Sequence, residues 1–181
     1  QPIADCFRAV CDELGHRPHF IYMSPQGKTL TQKRAVELSK LPELCILCGH
    51  YEGVDERVLE ALVDEQISVG DYVLTGGELP ALTLVDCVAR MVPGVLSDTE
   101  CYTEESHFAG LLEYPQYTRP AVWEGREIPE ILTTGHHENI RRWRREQALL
   151  RTARLRPDML AGAELTEKDR DFLRQNGFPI D

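Results

Sequence analysis

The chain has 181 residues, 42% hydrophobic and 28% charged, with a net charge of −10. That length allows one domain, or one domain and a small companion, and the apolar content excludes a wholly disordered chain. No apolar run approaches the roughly 18 residues a membrane helix requires. The acidic total argues against binding nucleic acid by bulk charge. The charge is uneven, however. Residues 141–156 hold seven Arg against one Glu, a local +6, so the rest of the chain carries −16. Such asymmetry points either to a localised anion-binding face or to a solvated basic helix.

In chain order, Ile3–Glu13 has helical apolar spacing (Ile3, Phe7, Val10, Cys11, Leu14), and Gly15 ends it. His19–Met23 reads as a short strand closed by a turn over Ser24–Gly27. Thr31–Leu41 reads as a helix and Leu44–Cys48 as a second strand. Asp55 suits the cap of a helix running to Val63. Gln66–Val69 and Tyr72–Leu74 read as strand pieces separated by Gly70-Asp71. Pro80 opens an apolar helix to Val92, and Pro93-Gly94 stops it. Strands separated by helices predict an α/β domain with a parallel sheet, over residues 1–95. Residues 96–118, and on to 125, lack clean periodicity and read as a linker or lid. The remainder, 119–181, predicts a small all-α domain. It contains a partly amphipathic helix over His136–Arg154 and a last helix opened by a Thr166/Asp169 capping box.

Six Cys occur, and the N-terminus QPIADCFRAV has no basic stretch followed by an apolar core, so it is not read as a signal peptide. A reduced, cytoplasmic setting is expected. Cys45 and Cys48 have CxxC spacing, but they lie in a strand-like run rather than opening a helix, as a redox motif does. His136-His137 invites a metal reading, yet neighbours at i,i+1 do not share a helix face. No metal-ligand set is read from the sequence.

Five of the 13 glycines lie between positions 49 and 77, after the expected strand ends, where ligands of α/β sheets bind. They match neither the dinucleotide fingerprint nor the phosphate loop. Around the linker, Arg90 is followed by Asp98, Glu100, Glu104, Glu105 and His107. These are candidates for general-base and anion-stabilising work, or are simply solvated.

The segments YMSPQG (Tyr22–Gly27), CGHYEGVDERV (Cys48–Val58), SVGDYVLTGGELPAL (Ser68–Leu82), GLLEYPQYTRP (Gly110–Pro120) and LTTGHHENIRRWR (Leu132–Arg144) occur in order. Together they closely resemble the bacterial tRNA (guanine-N1)-methyltransferases that act on guanine-37, a SPOUT-class family, and the resemblance spans essentially the whole chain. It implies a knotted parallel-sheet domain that binds S-adenosylmethionine, followed by the helical domain. Carried over by position, the cofactor-binding residues are Tyr22, Pro25, Gly49, Tyr51, Glu52, Val69, Gly70, Asp71, Tyr72, Val73, Leu74, Gly76, Gly77 and Pro80. The catalytic base falls on Glu105, where the family more commonly has Asp, with Glu104 as a backup, and Arg90 assists. Arg119, His136, Arg141, Arg142, Arg144 and Arg145 would grip tRNA. A homodimer with a shared active site is implied, and magnesium as a further cofactor without a self-evident ligand set. The resemblance also implies an additional segment ahead of Gln1, so the chain is expected to be truncated or processed. Two alternatives stay open: a non-catalytic RNA-binding module, and a SPOUT methyltransferase acting on another RNA.

Overall fold

The computed structural model describes residues 1–97, 100–103 and 105–180, with the side chains of residues 100 and 101 left aside. Its contacts divide the chain into two units, Gln1–Thr99 and Glu100–Asp181. The predicted α/β fold with a parallel sheet, and the helices that follow it, are present, but residues 119–181 are not all-α: Val122–Trp123 and Arg126–Glu127 pair as a short antiparallel hairpin across the Glu124-Gly125 turn.

In the first unit, helix α1 (Pro2–Leu14) ends on Gly15, whose φ of 74° lets its N–H bond the Cys11 carbonyl. Strand β1 (His19–Thr29) lies between β2 (Leu44–Cys48) and β3 (Glu65–Ser68), parallel to both. Helices α2 (Gln32–Leu38) and α3 (Glu56–Leu62) begin on Thr31 and Asp55, whose side chains accept the amides of Arg34 and Arg57. Helix α4 spans Glu78–Ala89. The core gathers Ile21, Met23 and Ile67 from the sheet with Ala35, Leu38, Leu84 and Val88 from α2 and α4. On the other side, the Phe7 ring stacks on Phe20 at 4.0 Å.

Several expectations change in the first unit, where the helix expected over Thr31–Leu41 stops at Leu38 and the one expected to reach Val92 stops at Ala89. The turn over Ser24–Gly27 is a bulge inside β1, whose register with β3 breaks between Met23 and Lys28. Pairing then resumes, and the Leu30 amide reaches the Ser68 carbonyl. Tyr72–Leu74 is not a strand, because the Tyr72 amide turns back to the Gly70 carbonyl and no ladder partner is present among the described residues. Helix α4 starts at Glu78 rather than Pro80, which sits in the first turn, where a missing N–H costs nothing.

An ion network lies at the amino ends of β1 and β3. Arg17 and the Phe20 amide bind Asp64, while Arg34 and His19 bind Glu65. Burial opposes ionisation of both carboxyls. For Asp64 the Phe20 amide and Arg17 outweigh it, for Glu65 Arg34 and His19 do, and both pKa values fall below their ordinary range. A lowered folded-state pKa adds stability above the unfolded value and loses it as the group protonates. Stability against urea should therefore hold above about pH 4.5 and drop below it. In Glu65→Gln the drop between pH 6 and pH 3.5 should shrink measurably. An unchanged profile would assign acid sensitivity to other groups.

The second unit contains a four-residue helix α5 (Glu100–Thr103), a hairpin of β4 (Val122–Trp123) and β5 (Arg126–Glu127), and helices α6 (His137–Leu155) and α7 (Glu167–Gln175). Leu111 packs with Ala148, Leu149 and Ala153 of α6 and Leu173 of α7. Fully buried Thr152 secures that packing, since its hydroxyl accepts the Leu112 amide and donates to the Ala148 carbonyl. The Thr166/Asp169 capping box is formed. Among the described residues, no helix is long and apolar enough to cross a membrane.

Candidate functional site

The carboxyl ends of the three parallel strands open into a cavity of about 350 Å³. Its walls come from the β1 bulge, the loop after β2 and the loop after β3, with Pro80 of α4. Every residue carried over as cofactor-binding lines it except Gly70, Asp71 and Gly77. Gly77 and Gly70 shape its walls. The Gly77 amide bonds the Gly49 carbonyl at 2.9 Å, and a Cβ on Gly77 would lie 2.7 Å from the Cys48 Cα. Gly77 thus lets the start of α4 press against the end of β2. Gly70 accepts the Ser68 hydroxyl through its carbonyl, which holds the third loop in its turn. His50 and Gly76 bridge the second loop to the third.

The cavity also takes in residues the sequence did not single out: Ser24, Gln26, His50, Val54, Glu56 and Leu59 among them. Ser24 is buried, and its hydroxyl accepts the Gln26 amide within the bulge. Ser24, Gln26, His50, Val54 and Glu56 lie inside the quoted motifs, so the motif boundaries held the signal. Tyr51 is 95% exposed with a φ of 57°, a left-handed conformation that costs a residue with a Cβ. The lining includes Glu52 and Glu56 and neither Lys nor Arg. Such a surface favours a ligand with positive charge and disfavours a bare phosphate.

Arg90 caps the C-terminus of α4 in the first unit. Glu105 belongs to the second, where it lines a cavity of about 260 Å³ together with Glu113, Tyr114, Arg141, Arg144 and Arg145. Glu104 and Asp98 lie outside the described residues. The Arg144 guanidinium sits 4.7 Å from the Tyr114 ring centroid. Arg141 and Arg142 make ion pairs with Glu138 and Glu146, one helical turn away. Solvated pairs of this kind are worth little and exchange readily for phosphate. Arg145 is placed differently. It binds the mostly buried carboxylate of Asp169 at 3.0 Å and donates to the Glu164 carbonyl, which ties α6 to the cap of α7. Burial opposes ionisation of Asp169, but Arg145 and Thr166 outweigh it and hold its carboxyl below the ordinary range. Arg119 and His136 are exposed.

Cys45 and Cys48 lie on β2 as free thiols, and burial pushes both pKa values up, against the thiolate that redox chemistry uses. Among the described residues, no group of three or more His, Cys, Asp or Glu could hold a metal ion.

Residues 1–162 match the family described as tRNA (guanine-1)-methyltransferase TrmD. The chain belongs to that family. It is 58% identical over 159 residues to a tRNA (guanine-N(1)-)-methyltransferase of Ruminiclostridium cellulolyticum, covering 88% of this chain and 68% of the relative. A protein of the same name from Alkaliphilus oremlandii is 51% identical over 180 residues, 97% of this chain and 72% of its own. One from Syntrophomonas wolfei is 59% identical over 155 residues, 86% and 63% respectively.

Proposed function

We propose that this tRNA guanine-N1 methyltransferase takes its methyl group from S-adenosylmethionine held in the cavity of the first unit, and that its target is guanine-37. The acidic cavity at the strand ends carries the reading, because its lining has carboxylates and no Lys or Arg to repel a sulfonium. A Cβ on Gly49 would meet the Tyr22 ring and one on Gly77 the Cys48 backbone, so glycine at both positions lets the loops around the cavity pack this closely. Bound there, S-adenosylmethionine supplies an electrophilic methyl group.

Guanine N1 carries a proton at neutral pH, so a base has to remove it. Glu105 takes that proton, and the Arg90 guanidinium meets the negative charge that develops toward O6. Arg119, His136 and the exposed arginines of α6 hold the tRNA backbone, which predicts salt-sensitive binding. The knot topology of the SPOUT class belongs to the same reading. So does a homodimer in which each active site is shared. Leu79, Leu82 and Val85 follow one another at helical spacing along α4 and are all exposed, which supports a partner on that face.

The test is incubation with methyl-labelled S-adenosylmethionine and a tRNA carrying guanine at positions 36 and 37. Label on N1 of guanine-37 is expected, and its absence overturns the reading. Calorimetry adds a second discrimination, since a non-catalytic RNA-binding module would give no heat with S-adenosylmethionine.

A further inference from the structure

The β4–β5 hairpin carries chemistry that the reaction above does not use. Its turn residues, Glu124 (φ 49°) and Gly125 (φ 76°), have the pair of positive φ angles of a type I′ turn, which matches the twist of paired strands. Val122 pairs with Glu127, and Trp123 with Arg126. Strand alternation therefore puts Trp123 and Arg126 on one face and Val122 and Glu127 on the other. The indole is 57% exposed and takes no part in the core of its unit. The Arg126 guanidinium lies over it, 5.8 Å from the ring. At the base of the hairpin the Ile128 amide donates to the Ala121 carbonyl, and a cavity of about 320 Å³ opens beside Tyr117 and Arg119.

We propose that Trp123 is a stacking platform for an unpaired nucleobase of the tRNA, with Arg126 and Arg119 meeting the adjoining phosphates. This rests on the tRNA reading above. Every base has a π-face, so an exposed indole accepts any of them, and cations beside it fit the polyanionic backbone. An apolar protein partner suits this face less well, because covering it would desolvate the Arg126 guanidinium without a carboxylate on the same face of the hairpin. Unpaired bases are what single-stranded loops offer, and the proposed target guanine lies in one.

The chain has two tryptophans, so in Trp143→Phe the emission comes from Trp123 alone. Titrating that protein with unmodified tRNA should quench Trp123 along the binding isotherm. Trp123→Ala should weaken tRNA binding about 5- to 20-fold, and Trp123→Tyr should restore most of it. S-adenosylmethionine binding should stay unchanged in both. Binding with unaltered Trp123 emission, or wild-type affinity in Trp123→Ala, overturns the platform alone. Emission that instead follows protein concentration without tRNA assigns the face to a second copy of the chain and also overturns it. If wild-type protein binds no tRNA, the functional reading fails first and the platform with it.

Discussion

Glu105→Gln is expected to lower methyl transfer about 10²- to 10⁴-fold, the range a positioned general base contributes. The substitution keeps the side chain's size and hydrogen-bonding reach and removes only its ability to take a proton. Glu105 lies in the second unit, outside the cavity assigned to S-adenosylmethionine, so cofactor affinity should remain near that of the wild type. Single-turnover methylation beside calorimetry reads the two effects separately. Retained turnover would move the base elsewhere, with Glu104 the first alternative. Asp keeps the carboxylate and is one methylene shorter, so Glu105→Asp should keep part of the activity. That variant separates loss of the proton acceptor from loss of reach.

Gly27→Ala is expected to destabilise the first unit by about 2–3 kcal/mol and to abolish measurable S-adenosylmethionine binding. A Cβ on Gly27 would lie 2.4 Å from the Gln66 carbonyl carbon and oxygen and 2.6 Å from the Ile67 nitrogen. These are backbone atoms of β3, so no rotamer change relieves the clash. The bulge has to lift, and the Pro25 and Gln26 wall of the cavity lifts with it. For a unit of this size the cost corresponds to a drop in melting temperature of about 8–24 °C. Thermal unfolding and calorimetry check it together. A variant with wild-type melting and wild-type binding would show that the close approach of β1 to β3 is not required.

Gly27 also marks where sequence reading reaches its limit. Ser-Pro-Gln-Gly has the composition of a turn, and composition does not reveal that Ile67 pairs with both Met23 and Lys28 across the gap. The need for glycine there comes from a strand nearly 40 residues away. Tyr72–Leu74 failed for a related reason. Its residues favour a strand, but a strand also needs a neighbour, and the turn at Gly70 removes it. Arg145 shows the same limit in the second unit. In the linear chain it is one more basic residue, and only the packing of α6 on α7 brings it to Asp169.

By itself the sequence determined the alternation of helices and strands, the caps at Asp55 and Thr166, and the five motifs that place the chain in its family. These are local signals, carried by residues within a few positions of each other, where spacing and capping chemistry act directly. The net charge of −10 concealed the basic run of residues 141–156, and reading charge by segment recovered it. Tertiary structure alone decided which loops converge at the strand ends, which arginines already hold a partner in their own unit, and which aromatic stays outside the core. Those outcomes depend on contacts between distant segments, and no local pattern encodes a contact whose other half lies in another element.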